Sequence, residues 1–538
     1  MAVAFTATLG TAVSAQAAEP SFWVKCDGLP KPESLGLQTA KAGITILTGG
    51  LYALAIEEGG QPLAGAAGVA ACSQVLADPA LDPFWARRVS LLRSRAMHNV
   101  EAGDLDAGLK DLEATRLASE GHVDDVAFNR SLGVSTKLFE AALLAKRGRG
   151  AEAERLAMEA ANARPYSARI QTLAAAIFAI DPALAPDEDR LLSRRASLQP
   201  DGLMARALAR EWGDLNGAAD DWSMIVEDIR RLKPDGQFIV ESMEYGEGSA
   251  VQLPLPLAKA ALASARAGRV TEARALLDEL EKLQPWAPAI VPKNKYQAQR
   301  TQSIALLSKS AIERAMRYKP LISAWLLAQE GRHADAIATL GEQFPAEPAS
   351  FELLAWSRKE LGKDMASVEQ SKQAFLGNLR SDRTEQLEVL KYAQALPLLE
   401  AIQKGKQRPG KPMSGLDGRD WSIKSGGRGI SVDGYKGIAV AEEMALLRAA
   451  QFSRTNGADR FLITERRDFE RYYVSAYAPR VAPNNPNPQS VQTVSEITLL
   501  AAGAPAQKVG AARERLAVNA EEVWASLAPV YLEDAPAR

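Results

Sequence analysis

The residue types that most often carry out chemistry are sparse in this chain and poorly spaced for it. Three histidines occur, His98, His122 and His333. None belongs to a His-Glu-x-x-His motif, which would put two imidazoles on one helix face for zinc. The two cysteines, Cys26 and Cys72, are far from Cys-x-x-Cys spacing, so a thiolate metal site has no support. A cysteine nucleophile needs a histidine close in space, which position along the chain does not supply. No Gly-x-Ser-x-Gly elbow is present. The run GGRGISVDGYKG has the glycine content of a phosphate loop, but Tyr435 precedes Lys436 and no Ser or Thr follows that lysine. It reads as a turn beside a strand. Paired acids on helix faces read as solvated. The expectation is therefore no catalytic residue, no metal, no cofactor and no enzyme.

The cysteines fit a different chemistry. The chain opens with MAVAFTATLGTAVSAQAAEP, small and apolar, and Ala15-Gln16-Ala17 has the small-x-small form of a signal-peptidase site. This predicts a signal peptide over residues 1–17, although no Lys or Arg precedes Lys25. An exported chain would be periplasmic or envelope-associated, and there Cys26 and Cys72 are expected to form a disulfide. Chain entropy gives such a loop roughly 4 kcal/mol. The alternative is a pair of buried free thiols in a cytosolic protein. No later run of about 20 apolar residues exists, so no integral membrane span is expected. The 538 residues carry 64 basic and 66 acidic side chains, a net charge of −2. That balance gives no reason to expect nucleic acid as a partner.

The elements that must position any site are helical, because Leu and Ala dominate and aromatics make up only 6% of the chain. The stretch AALASARAGRVTEARALLDELEKLQP reads as two helices around Gly268, ended by Pro285. Small residues, Ala261 and Ala273, fall where the two helices would cross. The same phase recurs with Ala96 and Gly108 around Gly103, and with Ala141, Ala153 and Ala160 around Gly148. It recurs again with Ala218 and Trp222 after Gly213, and with Ala324, Ala336 and Leu340 around Gly331. A weaker unit surrounds Gly362, and SARIQTLAAAIFAI with DRLLSRRASL fills one gap. Residues 235–254 fit neither helix of a unit and read as a long loop.

This pattern resembles the tetratricopeptide repeat, a helix-turn-helix unit of about 34 residues. The match is divergent: Leu257 replaces the usual tryptophan and Ser264 the usual tyrosine. The resemblance implies an α-solenoid over residues 18–402 that offers a concave surface to a protein or peptide. Transferring its register puts Arg93, Lys146, Arg210 and Arg266 near that concavity, where they would meet acidic side chains or a chain terminus. An exposed face is the other reading of these four. The lysine-and-asparagine clamp of chaperone-binding repeats is missing, since Met97, Ala142, Ala207 and Leu262 occupy its positions.

Residues 403–420 are rich in Gly, Pro and Lys and read as a linker. Beyond them, residues 421–538 read as a small α+β domain. A strand is expected at Ile430 and Val432, then a helix over Ala439–Asn456. Further strands are expected over Phe461–Thr464, Tyr472–Tyr477 and Val491–Leu500, with a terminal helix over Ala511–Tyr531. Leu446, Leu447, Arg448, Ala449, Ala450, Gly457, Phe461 and Leu462 resemble a motif of small exported Gram-negative lipoproteins of unknown function. The resemblance implies export but no activity, and the lipobox cysteine is missing. Arg448 is either a ligand contact or a structural ion-pairing residue.

Together these readings predict a mainly α chain, a tetratricopeptide-like α-solenoid followed by a small α+β domain. They predict a non-enzymatic protein-protein interaction scaffold of the bacterial cell envelope. The alternative is an enzyme or small-ligand-binding protein with its site in the C-terminal domain.

Overall fold

The computed structural model describes residues 21–31, 62–232, 238–239, 244–245, 248–288, 294–341, 347–385, 421–426, 429–434, 438–471, 490–501 and 511–532. The expected leader, the 403–420 linker and the Tyr472–Tyr477 strand lie outside these residues. The described residues are mainly helical, with a small antiparallel sheet late in the chain. Two compact units divide the chain, one of Met1–His122 with Val474–Pro486, the other of Val123–Tyr473 with Asn487–Arg538.

In the first unit, α1 (Phe22–Asp27) is capped by Ser21, whose hydroxyl accepts from the Val24 N–H. It packs on α2 (Gly65–Leu76) and α3 (Trp85–Glu101). Cys26 and Cys72 form a disulfide that joins α1 to α2. His98 stands beside Cys26, yet its Nε2 lies 2.7 Å from the Cys26 carbonyl oxygen, and the sulfur is already bonded to Cys72. Arg87 pairs with Asp27 and ties the same segment to α3. A three-residue turn at Gly103 leads to α4 (Leu105–Ala118), which packs back along α3. Ala96 and Gly108 are buried on the two helices, where a larger side chain would hold the backbones apart.

The second unit begins with α5 (Val126–Asn129) and continues as helical hairpins. These pair α6 (Leu132–Lys146) with α7 (Gly150–Ala163), α8 (Ala168–Phe178) with α9 (Pro186–Leu198), and α10 (Gly202–Arg210) with α11 (Leu215–Arg230). After a short strand pair, β1 (Phe238–Ile239) with β2 (Glu244–Tyr245), and α12 (Ser249–Gln252), the pattern resumes. Here α13 (Pro254–Arg266) pairs with α14 (Val270–Lys282). The long helix α15 (Lys295–Met316) rests on α12, α13 and α14. Then α16 (Lys319–Gln329) pairs with α17 (His333–Leu340), and α18 (Pro348–Glu360) with α19 (Ala366–Glu385).

Gly268 explains why the α13–α14 hairpin forms. Its φ of 76° lies in the left-handed region, where a Cβ is penalised, and that conformation reverses the chain between Ala267 and Val270. Ala261 and Ala273 then have no exposed surface on the paired helices, and the same is true of Ala141 and Ala153 and of Ala324 and Ala336 in their own hairpins. First helices also touch the next first helix, α6 with α8, α13 with α16, and α16 with α18. Every residue of α13 is buried except Leu255, because α11, α14, α15 and α16 all pack on it.

The sheet runs β3 (Trp421–Gly426), β4 (Gly429–Gly434), β6 (Ser490–Ala501), β5 (Ala458–Arg471), β7 (Val518–Asn519) in spatial order, all antiparallel. Helix α20 (Ile438–Thr455) packs on β4, β5 and β6 and against the terminal helix α22 (Ala520–Tyr531). Two sequence expectations change here. The strand expected to stop at Thr464 continues through the charged run Arg466-Arg467-Asp468, because Arg466 is buried against Glu442 and Asp468. The single terminal helix is instead a short helix α21 (Ala511–Glu514), β7, and α22, whose N-cap Asn519 accepts from the Glu521 and Glu522 N–H groups.

Candidate functional site

Of the four basic residues assigned to a binding surface, Arg93 belongs to the first unit and Lys146, Arg210 and Arg266 to the second. Arg93, in the first unit, is only 6% exposed. Burial lowers its pKa to about 10, which still leaves it charged at neutral pH. Arg266 is likewise 6% exposed, and its Nη2 donates to the Glu211 carbonyl at 2.8 Å and to Glu352 at 2.5 Å. Both guanidinium groups are buried, and that of Arg266 is bonded within the chain. Arg210 donates bidentately to Asp189 at 2.7 and 3.1 Å and reaches Asp221 at 3.2 Å. Lys146, at the end of α6, is half-buried.

A chain of ion pairs runs through the hairpins where a basic groove was expected. Arg206 grips Asp221 through Nε at 2.9 Å and Nη2 at 2.7 Å. Burial holds the Asp221 carboxyl above its ordinary value despite Arg206 and Arg210. Lys259 lies 3.4 Å from both Glu211 and Glu347 and sits over the Tyr318 ring. Trp222 donates to Glu211 at 2.8 Å, and Tyr318 donates to Glu347 at 2.6 Å. Burial first, then Glu347, raises the Tyr318 hydroxyl to about 12. Each charge here has an opposite charge within the chain, so the arrangement joins successive hairpins and offers no free cation to a ligand.

A second polar network joins the hairpins to α20. Glu443, with no exposed surface, accepts from Arg164 Nε at 3.0 Å and Nη2 at 3.1 Å, and from the Tyr531 hydroxyl at 2.6 Å. Arg130 Nη2 lies 2.8 Å from the same carboxylate. Burial pushes this carboxyl up, but Arg130 and Arg164 outweigh it and hold the pKa near 2. Glu442 accepts from Ser167 Oγ at 2.6 Å and from Arg466 Nη2 at 2.6 Å. Arg448, the candidate ligand contact, is 1% exposed and donates to Gln451 at 2.5 Å. That places it within the packing of α20.

Several large apolar side chains are open to solvent. Met204 and Leu208, four residues apart on one side of α10, are 45% and 43% exposed. Leu306 and Leu307 are exposed on α15. A small open cleft between the hairpins and the sheet is lined by Ser197, Leu203, Asp228, Thr464, Arg513 and Leu516 among others. Arg513 and Asp228 are ion-paired in it.

No family model matches the chain. No curated protein matches it either. Among the described residues no helix is long and apolar enough to cross a membrane, and no group of three His, Cys, Asp or Glu side chains is placed to hold a metal ion.

The sequence reading passed over Glu442-Glu443. A signal was available, since two adjacent acids stand in an otherwise apolar stretch, IAVAEEMALL. A helix that is apolar all round is buried, and acids inside it require partners.

Proposed function

We propose that this chain is a non-enzymatic protein-protein interaction scaffold of the bacterial cell envelope. The observation that carries this reading is the recurring helical hairpin: buried alanines on paired helices, a left-handed glycine at the Gly148, Gly268 and Gly331 turns, and first helices that touch at α6–α8, α13–α16 and α16–α18. Such units bury their apolar faces mainly against neighbours, which is the construction of tetratricopeptide-like arrays, and such arrays bind proteins on an extended helical surface. The Cys26–Cys72 disulfide supports export, as do the leader and the likeness to the envelope lipoprotein motif. The binding surface proposed for a protein or peptide is the open side of α10, with Met204 and Leu208, instead of the filled face of α13. Lys146 and Arg210 remain as peripheral contacts.

The test is a photo-crosslinking amino acid at 204 or 208 in living cells. A discrete protein adduct in the envelope fraction supports the scaffold; no adduct from either position counts against it. A second reading, a small-ligand site, draws on the Arg513–Asp228 cleft. Ligand-induced thermal shifts abolished by Arg513→Ala would favour that reading.

A further inference from the structure

Glu442 and Glu443 sit on the second turn of α20, and each is received by a prepared site on the hairpins. Glu443 enters a pocket with a bidentate Arg164 and a second guanidinium from Arg130, and the Tyr531 hydroxyl of its own module completes its bonds. The pocket is itself braced. Arg164 Nη1 donates to the Arg130 carbonyl at 3.0 Å, and Arg130 Nη1 donates to the Ala163 carbonyl at 2.9 Å. Gln171 donates to the Arg164 carbonyl at 3.1 Å, fixing the turn that carries the guanidinium. Glu442 lies at the N-terminus of α8, where Ser167 is the N-cap and the Arg169 N–H points at the carboxylate from 3.5 Å. A helix N-terminus and a capping hydroxyl favour an anion there. Around both carboxylates, Ala168 and Leu198 of the hairpins share one apolar cluster with Val440, Ala441 and Met444 of α20.

We propose that α20 is a ligand built into the chain: the hairpin surface at α6–α8 recognises an apolar helix carrying an acidic pair, and its own C-terminal module permanently occupies that surface. Two consequences follow. The C-terminal module is a docked part of the array and is not a domain free on a tether. The surface at Arg130 and Arg164 is closed to outside partners while the module stays in place. The inference does not depend on the scaffold proposal, because it concerns only contacts within the chain.

The experiment uses the full chain with a specific protease site placed within residues 403–420. The chain is cut after folding and passed through size exclusion in 1 M NaCl. The account expects the two pieces to elute together, since buried ion pairs are screened little by salt. Pieces that separate at micromolar concentration overturn it. In the cut protein, Glu443→Ala is expected to raise the dissociation rate at least a hundredfold. Ser167→Ala, which deletes a hairpin hydroxyl bonded to Glu442, is expected to raise it about tenfold or more, and Arg164→Lys, which keeps the charge but loses the bidentate grip on Glu443, to raise it likewise. Should Glu443→Ala fail to fold by circular dichroism, the Ser167 and Arg164 variants carry the test. Changes under threefold in every folded variant refute recognition through the acidic pair.

Discussion

Glu188 gives the most quantitative prediction. It lies in the first turn of α9, 5% exposed, and burial raises its carboxyl to about 7. Arg383 of α19 attracts its charged form, while Glu154 of α7 and Asp181 of the α8–α9 loop repel it. In the unfolded chain the group ionises near 4.5. Because the folded value is raised, the folded chain holds the proton more tightly. Stability is therefore full below pH ~4.5 and falls as pH rises through about 7. At about 1.4 kcal/mol per pH unit, a displacement of this size corresponds to about 3 kcal/mol. Glu188→Gln removes the titration and keeps the shape. Its stability relative to the parent, from urea unfolding at several pH values, should be near zero at pH 4.5 and rise to roughly 3 kcal/mol in favour of the variant at pH 8. A difference that does not change between these pH values would refute the reasoning.

Other perturbations probe the packing and the covalent tie. Ala261→Leu pushes α13 away from α14, and the expected cost is about 1–3 kcal/mol in urea unfolding, with an unchanged helical spectrum. Lys259→Met leaves Glu211 and Glu347 without their shared cation, and the expected loss is about 3–5 kcal/mol by the same assay. Cys26→Ser with Cys72→Ser opens a loop spanning 46 residues and should lower stability by about 4 kcal/mol on chain entropy. Thiol titration of the denatured, unreduced parent should find no reactive thiol; two would contradict the bond.

The hairpins were legible in the sequence because their cause is local. Ala261 and Ala273 lie 12 residues apart around one glycine, and side-chain size alone decides whether two helices can approach. The same holds for Ala141 with Ala153. The binding residues were not legible, because their environment is set by distant parts of the chain. Arg266 has the spacing of an outward-facing residue, yet its carboxylate partner Glu352 is 86 residues further on. Arg164 and Glu443 are 279 residues apart. The continuation of β5 past Thr464 through Arg466-Arg467-Asp468 was not legible either, since nothing nearby in sequence announces that Glu442 neutralises Arg466. Charge identity is local, but charge pairing is decided by the tertiary fold.

The central claim is that the face of α13 is filled by the chain's own hairpins, leaving partners to the open sides of other helices. Amide hydrogen exchange of the full chain tests it most directly. Peptides covering residues 254–266 should be among the slowest to exchange, far slower than those covering residues 295–316 of the more exposed α15. Equal and rapid exchange in the two would mean that the α13 face is open, and would contradict the account.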